Sequence, residues 1–289
     1  MDFKKVAILG GGLLGGSLAL ALRERFPELP VSLWSRREEK VEAAKMRGIG
    51  GATRDMAEAV GGADLVVLST PVGAMAAVLL AAQEAGLSGE ALLTDVGSVK
   101  RKVHEVLRPL LKRTGGKFLG SHPMAGSEQT GVEAAKADLF EGAACILTDD
   151  DDAGAQAKER LAGFWRALGC KVSSADAGTH DDLVARISHF QHIVAGVAAK
   201  VALQDKPADG IYGGGGLRDT TRVAAGDPEM WAEIAAENRD ALIPAIERGI
   251  REMSDVLANL KAGDQEAVRQ WLATAKEARD KARMFSDLL

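Results

Sequence analysis

Seven short apolar runs alternate with stretches of helical spacing over the first 175 residues. The runs are Val6–Leu9, Val31–Trp34, Leu65–Ser69, Ala91–Asp95, Lys117–Gly120, Ala144–Leu147 and Lys171–Ser173. Their apolar character is continuous rather than alternating, which is typical of strands buried on both faces of a parallel sheet. Strands separated by helices and short loops predict an α/β fold with a doubly wound sheet.

A glycine-rich turn follows the first run and leads into an apolar helix predicted over Leu13–Phe26. In a Rossmann domain, the first glycine of such a turn permits the tight bend, the second admits the pyrophosphate, and the third packs helix on strand. The free N–H groups of the helix N-terminus then meet the phosphates. A merely structural turn is the alternative, and the position between strand and helix favours a dinucleotide site. The predicted contacts here are Gly10, Gly12, Leu13, Leu14 and Gly15.

The end of the second run indicates which dinucleotide is bound. An NAD site usually offers an acidic residue there, whereas this chain has Ser35, Arg36 and Arg37. A hydroxyl and two guanidinium groups suit a 2′-phosphate, so we predict that NADP is preferred and NAD is possible. The alternative is that both arginines form the solvated first turn of a helix over Glu38–Arg47. Further predicted cofactor contacts are Thr70 and Pro71.

The second half of the chain predicts helices only. One is expected over His180–Leu203, one from a cap at Asp227 to about Leu260, and one over Asp264–Phe285. We therefore expect an N-terminal Rossmann domain over residues 1–175 and an all-α domain over residues 176–289. The wide apolar faces of these helices predict a homodimer.

Composition excludes several classes of protein. The net charge of −5 gives no electrostatic reason to bind nucleic acid or an anionic membrane, and no apolar stretch reaches membrane-spanning length. The two cysteines form no CxxC motif, and their sparseness fits a reducing compartment. No secretory signal is visible. We expect a cytoplasmic protein without a metal, acting on a small molecule.

A histidine in a turn of small residues is the leading catalytic candidate. Residues 120–128 read Gly-Ser-His-Pro-Met-Ala-Gly-Ser-Glu, which presents the imidazole of His122 beside Pro123. An imidazole suits proton transfer near neutral pH. An ordinary loop histidine is the alternative. Ser98, after the fourth run, either caps a helix predicted over Val99–Lys112 or holds a substrate hydroxyl and orients a histidine.

Two further clusters point to substrate binding. His189 and His192 are three residues apart on one helix face; they are not accompanied by a zinc motif, and one of them is expected to be a core histidine. Arg218 and Arg222 are four apart, so both can face one carboxylate, or they form a surface ion-pair face with Asp219. Trp231 is more typical of a core than of a site.

Taken together, these residues resemble the prephenate and arogenate dehydrogenase family of tyrosine biosynthesis. The matching segments are Gly10–Ser17, Thr94–Lys100, Gly120–Glu128, His180–His192, Gly214–Arg222 and Asp227–Trp231. The resemblance implies a Rossmann domain joined to a helical dimerisation domain, with the active site in the cleft between them. The implied reaction is an oxidative decarboxylation of a cyclohexadienyl dicarboxylate.

The resemblance also implies roles for single residues. His122 corresponds to the proton acceptor for the 4-hydroxyl group, and Ser98 to the serine that holds this hydroxyl and the imidazole. The implied substrate contacts are His192, Arg222, Arg218, Ser121 and Trp231. Which carboxylate of the substrate the arginines bind stays open.

The chain departs from the family pattern at one place. Many relatives read Ser-His-Leu-Pro-His where residues 188–192 are Ser-His-Phe-Gln-His, and glutamine in place of proline is expected to alter the helix bend and the side-chain pocket near His192. We expect no ACT or chorismate mutase domain, so tyrosine inhibition would have to act at the active site.

Prephenate and arogenate both stay open as substrates. A member of the run Asp149–Asp152 would favour arogenate by pairing with its ammonium group, although a solvated turn is the preferred interpretation. The arginines at 36 and 37 are a weak hint toward relatives that use arogenate. The rival interpretations are an NADP-linked β-hydroxyacid dehydrogenase or imine reductase, which usually relies on a lysine, and a non-catalytic NADP sensor.

Overall fold

The computed structural model describes residues 2–127 and 129–283. Glu128, in the predicted active-site segment, and Phe285, the predicted end of the last helix, lie outside the described residues. The chain forms two compact units, Met1–Arg239 and Asp240–Leu289.

The first unit contains one mixed sheet. Its strands are β1 (Val6–Leu9), β2 (Val31–Trp34), β3 (Ala52–Thr53), β4 (Leu65–Leu68), β5 (Leu92–Asp95), β6 (Lys117–Pro123), β7 (Ala144–Thr148) and β8 (Lys171–Ser174). Their order is β3-β2-β1-β4-β5-β6-β7-β8. This arrangement confirms the predicted doubly wound α/β fold, and it brings the carboxyl ends of β1, β4, β5 and β6 to one edge.

Helices cover the sheet and fill the rest of the chain. They are α1 (Leu13–Arg25), α2 (Glu38–Met46), α3 (Met56–Val60), α4 (Val72–Glu84), α5 (Arg101–Thr114), α6 (Ala155–Ala167), α7 (Ala177–Val184), α8 (Phe190–Leu203), α9 (Gly215–Thr221), α10 (Pro228–Glu237), α11 (Arg239–Ala262) and α12 (Gln265–Arg283). Asp227 and Asp264 cap α10 and α12 with their side chains, as predicted.

Burial on both faces explains the continuous apolar runs. Along β1, Val6 and Ile8 belong to one core and Ala7 and Leu9 to a second, and all four are fully buried. Trp165 anchors the first core and Phe118 the second. Because both sides of the strand exclude water, neither side carries a polar residue.

Three details differ from the predictions. Strand β7 runs antiparallel to β6, because the chain between them forms only a short 3₁₀ turn (Val132–Ala134) instead of the helix that a parallel crossover needs. The helix predicted over His180–Leu203 contains a π-helical turn, Ala185–His189, between α7 and α8. The helix predicted from Asp227 to Leu260 is interrupted at Asn238.

The second unit consists of most of α11 together with α12. It exposes large apolar side chains, namely Ile243, Ile250, Met253, Leu257, Leu260 and Leu272. Within the part of the chain that the structure describes, every helix is too short or too polar to cross a bilayer.

Candidate active site

The glycine turn after β1 forms a cradle at the carboxyl edge of the sheet. Gly10 has a φ of +137°, and a Cβ at this position would lie 2.4 Å from the carbonyl oxygen of Ser69. A Cβ on Gly15 would lie 2.0 Å from the carbonyl oxygen of Gly10. These two positions therefore require glycine. A Cβ on Gly12, by contrast, would meet nothing within 4 Å among the described residues, so this side of the turn is open.

The groups around the cradle fit a dinucleotide. Among the described residues, no side chain caps the N-terminus of α1, so its first amides, including those of Leu13 and Leu14, are available to phosphate oxygens. The hydroxyl groups of Ser69 and Thr70 are buried at the end of β4 and have no hydrogen-bond partner in the described structure. Pro71 precedes α4 at the same edge. Orphaned buried hydroxyls are expected where a ligand supplies the missing partner.

The three residues predicted to bind a 2′-phosphate lie at the end of β2. Ser35 is half-buried beside Gly11, whose added Cβ would approach the Ser35 side chain to 3.3 Å. Arg36 and Arg37 are exposed, and Arg37 precedes α2 and pairs with Glu39 at 3.5 Å. Both arginines thus lie near the cradle, directly before the first turn of α2.

His122 lies at the end of β6 and begins a buried chain of hydrogen bonds. Its Nδ1 is 2.8 Å from Nε2 of His180, and Nδ1 of His180 is 2.7 Å from a carboxylate oxygen of Asp181. The carboxylate accepts the His180 proton at Nδ1, so His180 Nε2 must accept from Nδ1 of His122. This order leaves the lone pair of His122 on Nε2, which is the nitrogen that can take a proton.

Asp181 holds the inner end of this chain in place. Its two carboxylate oxygens accept the backbone N–H groups of Lys100 and Arg101, at 2.7 and 2.9 Å, and so cap α5. Burial pushes the pKa of Asp181 upward, but the hydrogen bonds from His180 and the two amides outweigh burial, and the pKa lies below its usual range. Ser98 is therefore not the cap of α5, which begins at Arg101.

All of the histidines around this chain are held neutral. Burial, followed by the proximity of His180, Lys100 and His189, lowers the pKa of His122 well below 6.5. Burial likewise lowers the pKa of His180, and that of His189 to about 4. A neutral imidazole at neutral pH is the form that can accept a proton.

His189 and His192 both contact Trp231. The His192 ring stacks on the indole with a centroid distance of 3.7 Å and an interplanar angle of 10°, and His189 meets the indole edge-on at 6.1 Å. Asn238 donates to Nδ1 of His189 at 3.1 Å and to the carbonyl of Asp181 at 2.9 Å. Nε2 of His189 and Nδ1 of His192 are buried without a partner among the described residues, as expected of groups that meet a ligand.

The two predicted arginines have different surroundings. Arg218 on α9 is 80% exposed and pairs with Asp219, which agrees with the surface ion-pair alternative. Arg222 is exposed in a 3₁₀ turn, Arg222–Ala225, that packs against α8. Gly226 follows this turn, and a Cβ there would contact Trp231 at 2.6 Å and His192 at 3.3 Å. The turn with Arg222 therefore adjoins the stacked pair.

Ser121 lies away from the predicted position. Its hydroxyl is fully buried, accepts the indole N–H of Trp165 at 3.0 Å and bonds to Thr94. This placement contradicts a substrate contact and makes Ser121 part of the core. Ser98 is half-buried on the segment between β5 and α5.

The acidic run Asp149–Asp152 follows β7, and three of its carboxylates bind backbone amides or side chains of the protein itself. Asp149 accepts the amide of Ala153, and Asp150 accepts the amide of Ala177. Asp151 binds His104 and Arg108. These carboxylates order the loop, so the run gives no support to recognition of a substrate ammonium group.

Two glutamates of α10, Glu233 and Glu237, lie close together, and the first of them links α10 to the start of α4. Glu233 accepts the amide of Gly73 at 2.8 Å. Burial, with the nearby Glu233 and Asp181 carboxylates, raises the pKa of Glu237 to about 7, against the opposing effect of Lys102. One carboxylate oxygen of Glu237 is buried without a partner in the described part of the chain.

The raised pKa of Glu237 makes its contribution to stability pH-dependent. Folded protein holds the proton up to about pH 7, whereas the unfolded chain loses it near its ordinary value of 4.5, so stability is lost as the pH rises between them. We expect Glu237→Gln to raise the unfolding free energy by about 1 kcal/mol at pH 8, a figure discounted for partial exposure, and by little at pH 5. Urea denaturation at both pH values measures this; the exposed Glu84→Gln is the control. An equal gain at both pH values would contradict the assignment.

Comparison with known proteins identifies the family. A family model described as "Prephenate dehydrogenase, nucleotide-binding domain" matches residues 18–174, and "Prephenate dehydrogenase, dimerization domain" matches residues 176–274. The chain belongs to the prephenate dehydrogenase family. It is thus a dehydrogenase with a domain that binds NAD or NADP.

Individual relatives agree with this assignment over nearly the whole chain. Cyclohexadienyl dehydrogenase of Zymomonas mobilis is 33% identical over 96% of this chain and 95% of its own length. Prephenate dehydrogenase of A. aeolicus, solved with hydroxyphenyl propionate and NAD+, superposes with a TM-score of 0.87 at 29% identity, covering 98% of this chain and 99% of that one. Synechocystis arogenate dehydrogenase gives 0.76 at 27% identity, covering 96% and 99%. The match decides against the hydroxyacid dehydrogenase, imine reductase and sensor interpretations.

Three site residues were not assigned from the sequence. His180, Asp181 and Asn238 complete the buried network, and only His180 stood out as a member of the histidine-rich segment. The adjacent pair His180-Asp181 is a usable signal, because a carboxylate beside a histidine can orient its ring.

Proposed function

We propose that this enzyme oxidises and decarboxylates prephenate to 4-hydroxyphenylpyruvate, arogenate to tyrosine, or both, in tyrosine biosynthesis. The observation that carries the proposal is the chain His122–His180–Asp181, which leaves a neutral acceptor nitrogen on His122 at the sheet edge shared with the cofactor cradle. Both substrates have a ring carboxylate and a ring hydroxyl, and the reaction needs one proton acceptor for that hydroxyl.

The reaction balances with one acceptor and one hydride carrier. The nicotinamide, when bound, supplies the acceptor for the hydride from C4 of the ring. His122 takes the proton of the 4-hydroxyl group at Nε2 as the C4 oxygen becomes a carbonyl. The C1 carboxylate departs as CO2, its bonding electrons enter the ring, and the resulting phenolate takes the proton back from Nε2 of His122 to become the phenol. General base assistance of this kind contributes about 10²–10⁴-fold to the rate.

The remaining residues orient the substrate and stabilise the charge that forms. When His122 has accepted the proton, Asp181 stabilises the positive charge on the two hydrogen-bonded imidazoles through His180. The carboxylate itself need not become protonated. Arg222 binds a substrate carboxylate, with Arg218 as a neighbouring cation, and His192 and Trp231 form one wall of the pocket. Ser98 holds the 4-hydroxyl group.

NADP is the preferred cofactor in this proposal, with NAD as an alternative. The support is the pair of exposed guanidinium groups at Arg36 and Arg37, beside the hydroxyl of Ser35, where an NAD site usually has a carboxylate. A 2′-phosphate pairs with guanidinium groups through charge-assisted hydrogen bonds.

We further propose a cytoplasmic homodimer. The match to a dimerization domain and the exposed apolar side chains of α11 and α12 support association, and two free buried cysteines fit a reducing compartment. The cofactor domain is proposed to end near residue 175, and the helical domain to span residues 176–289.

A reduced-nicotinamide absorbance assay tests the proposal. Prephenate and arogenate are each combined with NADP and NAD, and we expect turnover with at least one substrate and a higher kcat/KM with NADP. The best combination assigns substrate and cofactor together. Folded protein that binds NADP and stays inactive in all four combinations would overturn the proposed reaction, and equal or better use of NAD would overturn the cofactor preference.

A further inference from the structure

Lys100 is a lysine with no exposure to solvent. Its side chain and that of Asp95 are both 0% exposed, and the two form an ion pair inside the first unit. Lys100 lies directly before α5, and Asp95 ends β5. A side chain with no exposed surface does not contact a substrate that binds from solvent. Replacing a buried ion pair with apolar residues is also often neutral or stabilising. The pair therefore calls for a role other than stability.

The ion pair holds the backbone next to the proton acceptor. Asp95 accepts the amide of Ser121 at 3.1 Å, and the Lys100 ammonium donates to the carbonyl of the same residue at 2.8 Å. The backbone N–H and the backbone carbonyl of Ser121, the residue before His122, are thus both bound by one ion pair. The lysine stem crosses β6 at Gly120, where an added Cβ would lie 3.0 Å from Lys100 Cδ and 2.3 Å from the hydroxyl of Thr148.

The same residue also contacts the inner end of the histidine chain. The backbone amide of Lys100 donates to the Asp181 oxygen that receives the His180 proton. Lys100 consequently touches the strand of His122 with its side chain and the carboxylate behind His180 with its backbone. Its ammonium is also a fixed positive charge beside two imidazoles, and like charges disfavour the protonated form of each.

We propose that Lys100 is a positioning residue for proton transfer: it fixes His122 and His180 relative to one another and places a buried positive charge beside both imidazoles. The proposal deepens the proposed function, since it matters only where His122 is the proton acceptor. The direction of the pKa shift agrees, because Lys100 follows burial and His180 among the causes that lower the pKa of His122. The Asp95 carboxylate opposes the lowering of the pKa of Lys100 by burial, which favours the charged ammonium.

The groups that face the two imidazoles define what the test must separate. Burial is the largest cause that lowers the pKa of both histidines. The pKa of His122 is lowered further by His180, Lys100 and His189. The pKa of His180 is raised by Asp181, lowered by Lys100 and raised by Asp95. Removing Lys100 alone leaves the Asp95 carboxylate buried without its partner, which is strongly destabilising. Two variants are therefore needed, Lys100→Met and the double variant Asp95→Asn with Lys100→Met.

The experiment titrates His122 by NMR of protein labelled with ¹⁵N in its histidines, and measures the pH profile of kcat/KM. Without the lysine charge, we expect the His122 midpoint and the acid limb to move up by about one pH unit in Lys100→Met, and in the same direction by less in the double variant. Lys102→Met is the matched control: Lys102 is a half-exposed lysine in the first turn of α5 that pairs with Glu105. This variant should leave the His122 midpoint and the acid limb unchanged.

The outcomes separate the two proposals. A folded double variant with an unmoved His122 midpoint and an unmoved acid limb would overturn the role of Lys100, whatever its kcat. The NMR titration needs no turnover, so it still decides the effect of Lys100 on His122 if the wild-type protein is inactive in the substrate assay. Wild-type inactivity would then count against the proposed reaction alone.

Discussion

His122→Asn is expected to lower kcat by two or more orders of magnitude while cofactor affinity stays nearly unchanged. Asparagine can still donate to His180, but it has no basic nitrogen to take the hydroxyl proton. Steady-state kinetics give kcat, and a fluorescence titration of the protein with NADP gives the dissociation constant. If the variant lost both turnover and cofactor binding, His122 would belong to the cofactor site instead.

His104→Asn provides the matched control for this variant. His104 is as buried as His122, yet its ring bonds Asp151 and Thr148 rather than the chain that ends at Asp181. We expect it to lower stability and to keep kcat within a few-fold of the wild type. A collapse of kcat in both variants would indicate that any buried histidine of this domain is needed for the fold, and would remove the support for a specific role of His122.

Gly15→Ala is expected to weaken cofactor binding by about tenfold or more, because a lost hydrogen bond to a charged phosphate is worth about 1.5–3 kcal/mol. The new Cβ would lie 2.0 Å from the Gly10 carbonyl and 2.7 Å from the Ser69 hydroxyl, so the turn and the end of β4 must separate. The rise in the NADP dissociation constant should be accompanied by a lower midpoint of thermal unfolding, because the same contact packs α1 on the sheet.

Two other glycines make this prediction sharper. Gly12→Ala places its Cβ where nothing lies within 4 Å in the described structure, so it should preserve stability and weaken only the binding of NADP. Gly163→Ala, in the middle of α6 and equally unobstructed, should leave the binding of NADP unchanged and raise stability by up to about 1 kcal/mol, because alanine is the better helix former. Wild-type affinity in the Gly12 and Gly15 variants together would exclude this turn as the cofactor site.

The sheet was predictable where one physical signal dominated. Burial on both faces makes β1 and β4 continuously apolar, and the predicted bounds of β1 and β2 are those observed. The direction of β7 was not predictable from its own residues, because direction depends on the connection before it. The two-residue strand β3 is too short to produce any periodic signal.

The site was predictable residue by residue but not as a network. The small residues around His122 in the sequence were enough to predict it as a site residue. Its hydrogen bond to His180 could not be predicted in this way, because the two residues are 58 positions apart and meet only in the folded chain. Ser121 was misplaced because β6 was predicted to end at Gly120. The strand continues to Pro123, so Ser121 and His122 point to opposite faces, as successive residues of a strand do.

The hydrogen-bond chain behind His122 has a closed inner end. Asp181 terminates it on the amides of Lys100 and Arg101, which donate hydrogen bonds and have no site to receive another proton. In the proposed reaction, the proton taken by His122 therefore stays on the pocket side of this chain, where the phenolate oxygen formed by decarboxylation takes it back. His122 is then neutral again before the aromatic product departs, so each turnover restores its own base without exchanging a proton with solvent.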